Sequence, residues 1–218
     1  MLCKLSDVKT MLGITDESSD AKLTMMIKAV SSQIQSYLGY RLAMSDYSEE
    51  LHSVNNNQLL QLNAFPLRSV ASVTANGVEI DDFKIIPEYA RWGRLYRGNG
   101  WSGAVYTRSF THDVVSGVWE IKASYRAGYY LPNDTENYTE DGEESLPYDI
   151  VSVCMQLVIQ RYQYDAMGAV GLKAHTEGHI SDTFGDGANE IGLTESMRRA
   201  LSPYVYYGRF KDIPSYSA

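Results

Sequence analysis

The stretch LPYDIVSVCMQLVIQRYQYD, residues 146–165, decides the fold. Ile150, Val153, Cys154, Leu157 and Val158 form one apolar stripe at helical spacing, and Val151, Met155 and Ile159 form a second beside it. A helix apolar over so wide an arc must be covered on more than one side. The cover comes from the same chain or from another subunit, and the sequence leaves both open. Working outward, the same helical period appears at the other end of the chain, while the middle has a different one.

SSQIQSYLGYRL, residues 31–42, continues a stripe that begins at Leu23 and runs through Ile27, Val30, Ile34, Tyr37 and Leu38. Gly39 suits the left-handed conformation that closes a helix, and Tyr40 can fold back on the last turn. A shorter helix precedes it, with Ser6 as its cap and Leu5, Val8, Met11 and Leu12 on one side. Between the two, GITDESSD is a polar connection. These periods predict helices at about 6–12, 19–38, 147–165 and 194–201.

The middle, about 46–131, changes to a β period. QLLQLN, SVASVTA, FKIIP, AVYTRSF and VWEIKASYRAGY are short, β-rich and often alternating, with turn signals at Asn76-Gly77, Asn99-Gly100 and Ser116-Gly117. In the last run Trp119, Ile121, Ala123 and Tyr125 oppose Val118, Glu120, Lys122 and Ser124, so one face is apolar. The class is therefore α+β: a bundle of about four helices, residues 1–45 and 146–204, with an antiparallel β-rich domain inserted. Residues 132–145 lie in a segment with seven acidic side chains between Leu131 and Asp149 and no Lys or Arg, which reads as a solvated linker. Residues 167–192 read as a long glycine-rich loop, and 205–218 as an aromatic tail.

Composition narrows function. The 218 residues allow one large or two small domains, and the 44% hydrophobic and 21% charged content is that of a globular protein. No apolar run reaches the ~18 residues of a membrane span. The start, MLCKLSDVKTML, lacks the pattern of a secretion signal, so the two Asn-x-Thr sequons near residue 135 read as accidental. Cys3 and Cys154 are too few for a disulfide framework, in keeping with a reducing cytoplasm. The net charge of −8 argues against tight nucleic-acid binding and does not exclude a wall along which DNA slides without sticking.

Candidate chemistry fares poorly. GNGWSG, residues 98–103, matches G-x-G-x-x-G, but the strand-like AVYTRSF follows and no helix opens to hold a pyrophosphate. HTEGHISDTFGD gathers His175, Glu177, His179, Asp182 and Asp186, yet on a glycine-interrupted stretch without a rigid element to converge them on a metal. Arg91, Arg94 and Arg97 interleave with Trp92, Tyr96 and Trp101, a pattern that either stacks on single strands or serves a sheet edge or subunit contact; the latter pair is preferred. None of the four histidines sits in a nucleophile motif. The expectation is no enzyme, no cofactor and no metal.

LSDVKTMLGITDESSDAKLTMMIKAVSSQIQSYLGYRL resembles the opening of the head–tail connector (adaptor) proteins of long-tailed bacteriophages: a short helix, a Leu-Gly-Ile turn, and a helix ending in Tyr-Leu-Gly and arginine. LLQLNAFPLRSVASVTANGVEI, GRLYRGNGW, VWEIKASYRAGY, LPYDIVSVCMQLVIQRY and LTESMRRALSPYVYY are similar to that family's later landmarks in the same order. The resemblance implies a structural virion protein, made in the host cytoplasm and placed at the neck. There it would form a ring of about twelve copies beneath the portal protein and extend the DNA channel. It would also meet a stopper or tail-completion protein. A stopper-like neck protein is the nearest alternative, and a cytoplasmic metal-binding protein or enzyme a more distant one.

Two segments are expected to do the docking. Tyr204, Tyr206, Tyr207, Arg209 and Phe210 crowd residue types enriched at interfaces, so the tail either covers the bundle or extends to the portal. In the glycine-rich loop Glu177, Asp182, Asp186 and Glu190 would repel passing DNA, with Lys173 and His175 softening that field, and the loop would order only against neighbouring subunits.

Overall fold

The structure is a computed structural model that describes residues 1–53, 57–101, 120–139, 142–166, 174–177, 180–183 and 192–206. In chain order its helices are α1 (Leu5–Leu12), α2 (Asp20–Leu38), α3 (Pro87–Ala90), α4 (Tyr148–Ala166) and α5 (Glu195–Leu201), the last running into a 3₁₀ turn, Ser202–Tyr204. The strands are β1 (Ser45–Ser53), β2 (Leu59–Gln61), β3 (Leu67–Ala75), β4 (Val78–Glu79), β5 (Phe83–Lys84), β6 (Arg94–Arg97), β7 (Glu120–Ala127), β8 (Ala174–Glu177) and β9 (Ile180–Thr183). The class is α+β. The chain forms two compact units: Met1–Tyr40 with Leu131–Ala218, and Arg41–Tyr130.

In the helical unit, both apolar stripes of α4 are used. Ile150, Val153, Cys154, Leu157 and Val158 are buried, as are Val151 and Met155 on the second stripe. Their cover is α1, α2 and α5 of the same chain, which answers the question left by the sequence. Helix α2 supplies Leu23, Ile27, Val30, Ile34 and Leu38, all fully buried, while α1 adds Val8 and α5 adds Met197 and Leu201. Each such side chain contributes roughly 1.5–3 kcal/mol of transfer free energy before entropy is set against it. Helices α2 and α4 run antiparallel, with Ser31 beside Cys154 near the middle and Ser19 bonded to Tyr162 at the other end (3.0 Å).

The helix ends are closed as backbone chemistry requires, with one departure. Helix α1 begins at Leu5, and Ser6 does not cap it; the Ser6 hydroxyl donates to Asp7 Oδ1 (2.9 Å). At its C-terminus Gly13 takes φ 68°, with bonds from Gly13 N to Thr10 O and from Ile14 N to Lys9 O. Gly39 closes α2 at φ 87°, donating to Gln35 O (2.9 Å).

The acidic segment after Leu131 is bonded into turns. Asp134 N donates to Leu131 O (2.8 Å), Tyr138 N to Asp134 O (2.9 Å) and Thr139 N to the Ser145 hydroxyl (3.1 Å). The Lys4 ammonium lies 5.4 Å from the Tyr138 ring centre. Glu136, Glu143 and Glu144 stay exposed.

In the β-rich unit, one antiparallel sheet has the order β1-β7-β3-β4 and a second β2-β6-β5. The alternation read in β7 is realised: Ile121, Ala123, Tyr125 and Ala127 are buried, and Glu120 and Arg126 are exposed. Leu60, Leu62 and Leu95 from the smaller sheet join Leu67, Val73, Trp101 and the β7 residues in one core. The indole of the buried Trp101 donates to the carbonyls of Gln58 and Leu95, both at 3.1 Å. Asn76 and Gly77, at φ 50° and 80°, make the tight β3–β4 turn. The strand expected at AVYTRSF and the Ser116-Gly117 turn lie outside the described residues.

Three elements differ from expectation. FKIIP is strand only at Phe83–Lys84, because Pro87 fits the first turn of a helix and starts α3. SDYSEELHS forms β1, whose acidic residues hide its strand character and whose bulge between Tyr47 and Glu50 breaks the alternation. Within the stretch read as irregular, Ala174–Glu177 and Ile180–Thr183 pair as an antiparallel ribbon, in line with the β-branched Thr176, Ile180 and Thr183.

Gly128 (φ 113°) lets two chain segments cross: a Cβ there would meet Ala43 O at 2.5 Å and Ala43 C at 2.7 Å. Gly128→Ala should cost roughly 3 kcal/mol in urea unfolding, from steric overlap added to backbone strain. Gly13→Ala has the same left-handed penalty but open space, and should cost about 1 kcal/mol. Equal losses would refute the close crossing.

Candidate assembly surfaces

Among the described residues, the Arg-aromatic stretch and the start of GNGWSG serve the structure of the β-rich unit. In the Arg-aromatic stretch, Arg97 Nε donates to Asp82 Oδ1 (2.6 Å) and its guanidinium lies 5.7 Å from the Trp101 ring centre. That pairing holds the Asp82 carboxyl below its usual range. Arg94 Nε donates to Gln61 Oε1 (3.1 Å), the Gln61 amide donates to Trp92 O (2.8 Å), and Arg91 lies 5.4 Å from the Trp92 ring centre. These arginines brace the smaller sheet. In GNGWSG, the amide of Gly100 donates back to Arg97 O (3.0 Å) and that of Trp101 to Asn57 O (2.8 Å); a turn follows β6, and no helix starts through Trp101.

A buried polar group that the sequence did not signal lies beside the β1 bulge. The Tyr125 hydroxyl donates to the Glu50 carboxylate, Glu50 Oε2 sits 3.2 Å from His52 Nε2, and the Tyr47 ring stacks on Tyr125 at 5.0 Å. Burial, and then the neighbouring Glu50 carboxylate, push the Tyr125 phenol far above its ordinary value. Tyrosine buried in a core needs an acceptor for its hydroxyl, and Glu50 supplies it. Among the described residues no three His, Cys, Asp or Glu side chains are grouped to hold a metal.

The expected docking residues fall in two places. Tyr204 and Tyr206 lie on the helical unit: the Tyr204 hydroxyl donates to Asp149 Oδ2 (3.2 Å), and Tyr206 N donates to Leu38 O (2.9 Å), filling a carbonyl that the end of α2 leaves open. Glycine is favoured at Gly39 by its φ of 87° rather than by crowding, since Tyr206 O lies 3.6 Å from where a Cβ would stand, an ordinary contact distance. His175 and Asp182 are register partners in the β8–β9 ribbon, and Glu177 pairs with Ile180. Tyr207, Arg209, Phe210, Lys173 and Asp186 lie outside the described residues.

The sequence model of the family described as "Head completion protein" matches residues 1–163. The chain belongs to that family. In fold it is similar to a chain from the neck of an empty gene transfer agent particle, solved with C6 symmetry, at TM-score 0.53 and 11% identity over 98% of this chain and 94% of that one. It is also similar to a chain of the virion of a native gene transfer agent particle, at TM-score 0.52 and 12% identity over 97% and 93%. No curated protein sequence matches it. At such identities the likeness shows the fold.

For a head completion protein the useful observation is what the bundle leaves open. Because α4 is covered within the chain, its stripes are not the exposed surface. Helix α2 instead presents Ala21, Met25, Ala29, Ser32 and Ser36 outward, a narrow face of mostly small side chains on which Met25 is 71% exposed. Met11 on α1 and Tyr148 on α4 are each 60% exposed. Sequence reading followed the buried stripe of α2 and passed over this opposite one.

The Tyr206 bond can be isolated. Val205 is already extended (φ −70°, ψ 130°), as the residue before a proline must be, so Tyr206→Pro removes the donor together with the ring, and Tyr206→Ala, which removes the ring alone, is its control. Tyr206→Pro should be less stable than Tyr206→Ala by about 1 kcal/mol. Tyr206→Phe should leave the amide of residue 206 slow to exchange. Fast exchange at that amide in the unaltered protein would show that the segment does not close α2.

Proposed function

We propose that this head completion protein is a structural component of the virion neck: a head–tail connector that assembles as a ring beneath the portal, extends the DNA channel and joins head to tail. The family match over residues 1–163 carries the reading. The structures similar in fold support it, because one belongs to the neck of an empty gene transfer agent particle and the other to the virion of a native one. A ring of about twelve copies would repeat one heterologous contact that closes by rotation. The role is structural, with no catalytic step.

The charge distribution fits a channel component. Of the 27 acidic and 19 basic residues, 18 and 10 lie in the helical unit, so the whole net charge of −8 falls there and the β-rich unit is neutral. An acidic surface repels the DNA backbone and lets it pass without sticking. Glu177, Asp182 and Asp186 would contribute to that wall, Lys173 and His175 would moderate it, and a stopper or tail-completion protein would meet the ring's far side. The tail 205–218 would reach the portal with Tyr207, Arg209 and Phe210, while Tyr204 and Tyr206 anchor its root on the bundle.

The test is to mix purified full-length protein with its portal and image the product. Rings of this protein seated on the portal are the expected result; two-fold dimers that ignore the portal would defeat the proposal. Deleting residues 207–218 should abolish portal association while the melting temperature falls by less than roughly 2 °C, since the Tyr206 anchor is retained. Portal binding that survives the deletion would remove the tail from the docking surface and leave the ring reading intact.

A further inference from the structure

The two cysteines, 151 positions apart, are brought together. Cys3 Sγ and Cys154 Sγ are 3.5 Å apart, and both side chains are fully buried. The Ser31 hydroxyl lies 3.9 Å from Cys154 Sγ and accepts a hydrogen bond from Leu2 N (3.0 Å), so α2 fixes the N-terminal segment and the α4 thiol in one place. A disulfide needs the sulfurs at about 2.05 Å. Closing from 3.5 Å asks for side-chain rotation at two neighbouring sites rather than movement of a helix.

We propose that Cys3 and Cys154 are a modification site: a thiol pair that a small disulfide oxidant such as oxidised glutathione converts to an intramolecular bond. Cys3 precedes α1, so lifting Leu2 and Cys3 away exposes its sulfur by breaking the Leu2 N–Ser31 bond and uncovering Leu2, while Lys4 O keeps the first backbone bond of α1 from Val8 N. The Cys3 thiolate attacks one sulfur of oxidised glutathione, breaking its disulfide and releasing one glutathione thiolate. When the segment returns, the Cys154 thiolate attacks Cys3 Sγ and displaces the second glutathione. The two protein thiols lose two protons and two electrons, and both appear in the two reduced glutathione molecules. In place, the hydrogen bond between the two thiols and burial hold the Cys3 thiol far above its ordinary value, so Cys3 reacts only when the segment is displaced. Cys154 is held below its ordinary value by Cys3 and then by the Ser31 hydroxyl, and the Ser31 contact remains at the closing step.

The result is a clasp that ties the first residues of the chain to α4 and so joins the two sequence segments of the helical unit around the insertion of residues 41–130. Constraining a loop this long in the unfolded chain raises stability, and the melting temperature should rise by roughly 5 °C or more.

The experiment incubates the full-length protein with oxidised glutathione, with reduced glutathione as control, then unfolds it in the presence of an alkylating agent and maps peptides by mass spectrometry. The expected product is a monomer lighter by about 2 Da whose Cys3 and Cys154 peptides are joined, with the higher melting temperature reversed by a reductant. Cys3→Ser should abolish both the cross-link and the rise. Two alkylated thiols, a lasting glutathione adduct on either cysteine, or a disulfide between two copies would each overturn the proposal. Mapping of the unsubstituted protein decides the matter by itself if the variant does not fold.

Discussion

The packing of α2 against α4 is the constraint on which the helical unit depends. Leu23, Ile27, Val30, Ile34 and Leu38 on one helix, and two adjacent stripes on the other, are removed from water together. Neither helix could stay folded alone with so much apolar surface. Helices α1 and α5 then cover what remains of α4, and the C-terminal segment returns to close the end of α2. Segments on both sides of the β-rich unit, from Leu2 to Leu38 and from Leu146 to Tyr206, therefore share in the bundle's framework.

That unit is organised around a different device. Strand β7 lies between β1 and β3, so its alternate residues are buried while both of its edges are paired. The flanking strands carry the irregularities, including the β1 bulge with Glu49 at φ 47°. A bulged, acidic outer strand is a poor template for unwanted pairing. In a protein proposed to work as one of many close-packed copies, that protection against random edge association has evident value.

Much of this was legible in the sequence because it is periodic. The helical stripes at Leu23–Leu38 and Ile150–Ile159, the alternation around Ile121, and the Asn76-Gly77 turn each carry their geometry locally. What was missed lacks a local signature. Strand β1 is acidic and held by its partner; α3 is one turn started by a proline; the β8–β9 ribbon hides among glycines. The Tyr125–Glu50–His52 group and the Cys3–Cys154 pair join residues far apart in the chain, and no spacing rule reaches across such distances. The surface side of α2 went unnoticed because its residues are small and unremarkable one by one, and the tyrosines of the tail could be read equally as cover or as a probe. The ordered set of landmarks, rather than any motif, pointed to the family.

The split of the helical unit has a consequence for how the protein is made. The apolar face of α2 leaves the ribosome about ninety residues before the segment that leads to α4. At roughly 5–20 residues per second, that face waits some seconds without its partner, while the β-rich unit is synthesised and can fold by itself. Formation of the bundle thereby waits for the synthesis of α4, so a product truncated before Tyr148 would leave the apolar face of α2 without its main cover.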